Sequence, residues 1–344
     1  MHKLVNQFTV PMQIYKKKYT TMSISALLVL CALVACGPDY QVPDPVDNGS
    51  PSSGQGTGTS DGGSGSGSDT GTDGTGDGGA AVSAALLSAD GNDAATYTLM
   101  TSKGYNYETP DADHNPAVRH IRQVQDATLG KWVFAFDMHI ATDTNKGEDK
   151  DRQRNEIKTD AHSPASMVAQ EGETLSMTWK FKLPAGMRTT TKFSHIHQLK
   201  GIDNSEGTAD VANPIITFTC RSLSSGSQQF QIIHTTDTPA SGSATNEYYL
   251  KTDLAEFLGE WVSVSETVTF AEKGTYSVVI VRMRDGKKLA EFTKTGVDLW
   301  RSGTTGMRPK WGLYRNFGDN HSLAAQLRDE TLLFADFDVQ KVGR

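Results

Sequence analysis

The feature that most constrains this chain is a two-residue rhythm that recurs along its C-terminal three quarters. KWVFAFDMHI, ETLSMTWKFKLP, PIITFTCRS, EWVSVSETVTF, GTYSVVIVRM and TLLFADFDVQKV each alternate apolar with polar residues or run in β-branched and aromatic ones. Gly, Pro, Asn or Asp sits between them, as expected of strands joined by turns. Successive strand side chains point to opposite faces, so the pattern buries one face of each segment and leaves the other for polar groups. Helical periodicity is scarce, and TDLAEFLG (252–259) is the best short helix candidate, with Thr252 or Asp253 as its cap. Many short strands with almost no helix predict an all-β fold, a two-sheet antiparallel β-jelly roll with one concave face as a cleft.

The fold is expected to begin near residue 81. Lys16, Lys17 and Lys18 form a charged region, and SISALLVLCALVA (23–35) forms an apolar run of signal-peptide length, short for a membrane span. It ends in Leu33-Val34-Ala35-Cys36, which resembles a bacterial lipobox and implies lipidation of Cys36. An ordinary signal peptide or a membrane anchor is the alternative. NGSPSSGQGTGTSDGGSGSGSDTGTDGTGDGG (48–79) has nothing to bury and reads as a flexible tether. The expected organisation is therefore a lipoprotein signal at 1–36, a linker at 37–80 and one folded domain at 81–344, exported and lipid-anchored at an outer membrane or cell surface.

Cysteine usage agrees, because Cys31 leaves with the signal and Cys36 carries lipid. Cys220 is then the one thiol of the domain, in a strand and expected to be buried, so a core and not disulfides must supply stability. With 33 basic against 40 acidic residues, a net charge of −7 and no basic block, nucleic acid is not an expected partner. A monomer is expected.

Three stretches gather unusual polar groups on one strand face. In RQRNEIKTD, Arg154, Glu156 and Lys158 share a side, with Asn155 and Ile157 opposite. In KFSHIHQLK, strict alternation puts His195 and His197 together with Phe193, and turns Ile196 back. In RPKWGLYRN, Lys310, Gly312 and Tyr314 lie opposite Trp311 and Leu313. Each has a plain explanation alone: a same-face ion pair, solvated histidines, a packed tyrosine. A metal site would need a third ligand beside the histidine pair, and His114, His120, His139 and His234 show no ligand spacing, so neither metal nor cofactor is expected.

The order and spacing of the three resemble the β-jelly-roll polysaccharide lyases, the alginate, glucuronan and ulvan lyase group, with their concanavalin-like sandwich. The alginate branch carries an Arg-x-Glu-Leu-Arg strand, a Gln-Ile-His strand and a Lys-x-Gly-x-Tyr strand along one cleft. Here the counterparts are Arg154 to Lys158, His195-Ile196-His197 and Lys310 to Tyr314. Lys158 replaces an arginine, His195 replaces the glutamine, and Gln198 and Lys200 extend the second motif, which moves the expected substrate from alginate toward glucuronan or ulvan. The resemblance implies β-elimination on an anionic uronate polysaccharide. Arg154, oriented by Glu156, would neutralise the substrate carboxylate with His195 and Gln198. His197 would be the base, since its reference pKa lies near working pH, and Tyr314 the acid. Lys200 is a second candidate base, and one tyrosine serving as both is a third arrangement. Lys158, Lys310 and Arg315 would make the cleft locally positive. A glycoside hydrolase would need paired carboxylates that are absent here. A carbohydrate-binding lipoprotein would need aromatic platforms, against an aromatic content of 8%.

Overall fold

The computed structural model describes residues 83–237 and 244–343. The expected signal peptide, Cys36 and the linker lie outside the described residues.

The alternating segments form strands throughout. In chain order they are β1 (Asn106–Glu108), β2 (Ile121–Asp126), β3 (Lys131–Met138), β4 (Arg152–Lys158), β5 (Thr174–Lys182), β6 (Ser194–Ile202) and β7 (Ile216–Ser222). There follow β8 (Gln228–Thr235), β9 (Asn246–Asp253), β10 (Trp261–Thr269), β11 (Gly274–Arg282), β12 (Lys287–Val297), β13 (Gly306–Asn316) and β14 (Glu330–Val342). They make two seven-stranded antiparallel sheets, ordered β1-β4-β13-β6-β7-β8-β9 and β12-β11-β10-β5-β14-β3-β2. The result is the expected two-sheet jelly-roll sandwich.

Alternation decides what lies between the sheets. On β5, Leu175, Met177, Trp179 and Phe181 point inward, and β10 contributes Val262, Val264 and Val268. Phe218, Phe230, Trp311, Phe334 and Phe337 meet them from neighbouring strands. Each such side chain contributes about 1.5–3 kcal/mol by leaving water. Cys220 lies in this interior as a free thiol, and burial raises its pKa well above the ordinary value.

Local structure departs from the sequence reading at two places. The expected helix at 252–259 is a single 3₁₀ turn, Leu254–Glu256, whose Asp253 cap accepts from the Ala255 N–H. A seven-residue α-helix, Thr96–Ser102, was not expected. No helix among the described residues is long and apolar enough to cross a membrane.

Candidate active site

The three motif strands are neighbours, with β13 in the middle. Residues facing each other across an antiparallel pair share a side of the sheet. Between β4 and β13 the register sets Arg154 against Tyr314, Glu156 against Gly312 and Lys158 against Lys310. Between β13 and β6 it sets Tyr314 against His195, Lys310 against Gln198 and Arg308 against Lys200. Arg154, Glu156, Lys158, His195, Gln198, Lys200, Lys310 and Tyr314 therefore form one polar row on the face turned away from the core. Gly312 allows the strands to approach this closely: its φ is +143°, and a Cβ there would sit 2.1 Å from the Asn155 carbonyl oxygen.

His197 does not belong to that row. β6 carries one extra residue against β7 between His195 and His197, and β13 carries one against β6 between Trp311 and Tyr314. A bulge breaks alternation. Ile196 and His197 both turn into the core, and His197 is fully buried beside Trp179, Phe218 and Trp311. Its Nδ1 donates to the Lys310 carbonyl oxygen at 2.9 Å, and its Nε2 lies 3.1 Å from Glu266 Oε2, off the line of a hydrogen bond. The expected base is thus a core residue tied to the opposite sheet. Arg315 is also misplaced by the sequence reading. It follows Tyr314 on an alternating strand, so it points inward, where Nε donates to Gln153 Oε1 and Nη1 to the Arg328 carbonyl oxygen.

Charges in the row are mostly paired. Glu108, on three-residue β1, receives Lys310 at 2.5 Å, Lys146 at 3.0 Å, Arg154 at 3.1 Å and Lys158 at 3.2 Å. Burial alone would raise its pKa, but these four cations hold it well below the usual carboxylate range. Glu156 binds Arg154 at 2.6 Å and Lys310 at 2.9 Å, and accepts from Gln198. Burial, reinforced by Arg154, pulls Lys310 down to about 7 against the opposing Glu108 and Glu156. Arg154 therefore offers no two-pronged fork: its Nη1 serves Glu156 and Glu108, and its Nε donates to Asn145 Oδ1 at 2.7 Å. Its guanidinium lies 3.8 Å from the Tyr314 ring centroid instead.

Tyr314 and His195 are neighbours in the row, with ring centroids 6.1 Å apart. Arg152 Nη1 donates to the Tyr314 hydroxyl oxygen at 2.9 Å, which leaves that oxygen's own proton free to be given elsewhere. His195 stacks on Phe193 at 4.3 Å, and its Nδ1 bonds Thr219 Oγ1 at 2.9 Å, so Nε2 is the nitrogen available to a ligand. Burial pushes His195 down to about 3, aided by Arg221, Arg154 and Lys200 and opposed by Glu156. It is neutral at pH 7, a hydrogen-bonding group and a weak base.

Sequence reasoning missed Glu108, Arg152, Asn145 and Thr219. Arg152 was findable, because it lies two residues before Arg154 on the same face. Glu108 was not, since β1 is too short to show a pattern. Of the other histidines, His234 Nε2 donates to the Asp298 carbonyl oxygen at 2.7 Å, while His114, His120 and His139 converge on Asp143. A recess of about 520 Å³ on the other sheet, lined by Lys131, Lys180, Ser263 and Asp336, holds no comparable pair.

No family profile and no curated protein matches the sequence. Among solved structures the chain is similar to an endo-β-1,4-glucuronan lyase from the fungus Trichoderma reesei, at 15% identity and a TM-score of 0.46, over 69% of this chain and 94% of that one. It is similar to a polysaccharide lyase family 7 alginate lyase at 15% identity and a TM-score of 0.45, over 70% and 96%. A family 14 alginate lyase from Aplysia kurodai aligns at 10% identity and a TM-score of 0.44, over 69% and 98%. Each is a likeness only, and the chemistry of this chain rests on its own side chains.

Proposed function

We propose that the domain is a polysaccharide lyase that cleaves a uronate-containing anionic polysaccharide by β-elimination and leaves a 4,5-unsaturated uronate end. The observation that carries this reading is the Tyr314 hydroxyl, held by an Arg152 N–H, with the Arg154 guanidinium on its ring and neutral His195 beside it. The C5 proton of a uronate is weakly acidic until its carboxylate is neutralised, so donors must meet that carboxylate. His195 Nε2 is the group placed to do so; Arg152 already holds Asp151 through Nε and Nη2 and the Tyr314 hydroxyl through Nη1.

With His197 in the core, Tyr314 serves as both base and acid. As phenolate, held by the Arg152 N–H and the Arg154 cation against the ring, it takes the C5 proton. The C4–C5 double bond forms as the C4–O4 bond breaks, and the same hydroxyl returns the proton to O4. Glu156, Gln198, Lys158 and Lys310 hold the row in shape more than they meet substrate. Glucuronan or ulvan is the favoured substrate over alginate, because His195 stands where the alginate motif has glutamine and Gln198 and Lys200 extend the strand.

Incubating the domain with glucuronan, ulvan and alginate while following unsaturated-uronate absorbance tests this. The expected result is absorbance with the first two, lost in Tyr314→Phe. Reducing ends without the chromophore would indicate a hydrolase, and binding without cleavage a carbohydrate-binding protein. Anchoring through a lipid on Cys36 is also proposed, supported by the lipobox resemblance. Cys36→Ser should release the protein from the membrane fraction.

A further inference from the structure

We propose that His114, His120, His139 and Asp143 form a binding site for one divalent transition-metal ion of the zinc class. Their ligand atoms all lie within 4.8 Å of one another. His114 Nε2 is 2.7 Å and His120 Nε2 3.1 Å from Asp143 Oδ1, while His139 Nδ1 is 3.3 Å from Asp143 Oδ2 and 3.1 Å from His120 Nε2. Zinc–nitrogen bonds near 2.0–2.1 Å place two ligands of a tetrahedron roughly 3.3 Å apart. Four of the six ligand pairs already stand 2.7–3.3 Å apart, near that spacing, and the rest lie within 4.8 Å.

Proton accounting points the same way. His120 Nδ1 lies 2.8 Å from the Val118 carbonyl oxygen, which can only accept, so that nitrogen carries a proton. In the neutral ring, His120 Nε2 is then a bare lone pair, yet it faces a carboxylate oxygen and a second imidazole nitrogen. A cation in the middle satisfies every lone pair at once. Asp111 Oδ1, 3.0 Å from His120 Nδ1, supplies the outer carboxylate that orients a metal-bound imidazole.

The donor set selects the metal. Three imidazoles and one carboxylate suit zinc and its neighbours, whereas calcium and magnesium need more oxygen ligands. The His120 and Asp143 side chains are fully buried, while His139 is 36% exposed and gives an entry side. Four protein ligands leave no open position, so the ion braces the fold and activates no water. It would join three segments: His114 after the Asp111–Asp113 turn, His120 just before β2, and His139 and Asp143 after β3. The brace reaches the polar row. The Thr144 carbonyl oxygen accepts from the Arg154 N–H, Asn145 Oδ1 holds Arg154 Nε, and Gln153 Nε2 donates to the Asp143 carbonyl oxygen.

The inference does not rest on the lyase reading, and its test needs no substrate. Tag-free domain is stripped with a chelator, then titrated with zinc or cobalt and followed by metal analysis, visible absorption and thermal midpoint. The expected result is one equivalent bound, the d–d bands of four-coordinate cobalt, and a raised midpoint. Asp111→Asn should weaken binding about 10–100-fold. His114→Gln and His139→Gln, both at partly exposed positions, should weaken it further while circular dichroism stays that of the parent. Failure to take up a stoichiometric ion at micromolar metal would overturn the proposal. So would affinity unchanged in both histidine variants, or a preference for calcium.

Discussion

His197 gives the sharpest test, because alternation puts it beside His195 on the polar face and the bulges make it a core strut. Its imidazole links β6 to the opposite sheet through Glu266, which also accepts from Trp179 Nε1 at 3.1 Å and Tyr276 Oη at 2.8 Å. Burial would raise the Glu266 pKa, but His197, Trp179 and Tyr276 together hold it below the usual range, so it stays ionised in the core. In His197→Leu the ionised carboxylate loses the imidazole beside it in an apolar interior. Breaking one side of a buried pair costs about 3–5 kcal/mol, a large share of a stability of about 5–15 kcal/mol. Removing both side chains, as in His197→Leu with Glu266→Met, should recover much of that loss. Urea unfolding followed by tryptophan fluorescence measures each variant, and the unsaturated-uronate assay, corrected for the folded fraction, measures turnover. The expected outcome is a large stability loss with turnover per folded molecule within about tenfold of the parent, roughly the 1.4 kcal/mol that a shift of the Lys310 backbone can cost. A variant as stable as the parent but unable to eliminate would refute this account and return His197 to the chemistry.

Three further outcomes are expected. Arg152→Leu removes the donor on the Tyr314 hydroxyl and should lower kcat by about 10²–10³-fold with KM little changed, as steady-state kinetics would show. Gly312→Ala forces a Cβ onto the Asn155 carbonyl oxygen at 2.1 Å, so it should cost at least about 3 kcal/mol in urea unfolding, whereas Gly130→Ala, with open space around it, should cost less. His195 titrates near 3 when folded against 6.5 when free, so between those values the unfolded chain takes up a proton that the folded protein refuses. Stability should therefore fall as pH drops below about 6.5, by about 1.4 kcal/mol per unit from this group, and His195→Gln should lack that slope in urea midpoints measured from pH 7 to 4.5.

Much of this was legible because β-strand alternation is a local rule. Arg154, Glu156 and Lys158 share a side for that reason, as do Lys310 and Tyr314, and β4 pairs with β13 without interruption. Glu266 was legible too, since it stands between Val264 and Val268 in an apolar register, an acid where alternation demands a hydrophobe. The sequence reading passed over it.

The sequence by itself determined the all-β class, the three strands that carry the polar row, and which side of β4 and β13 faces away from the core. Those follow from the two-residue period, which needs no partner. Tertiary structure alone decided the fate of His197, because a bulge is set by how two neighbouring strands keep register with a third. It also decided that Glu108 would pair with four basic side chains and that His114, His120, His139 and Asp143 would meet. Those residues lie on a three-residue strand and in loops with no period to read, and only the pairing of β1 with β4 and the approach of the segments flanking β2 and β3 bring them together.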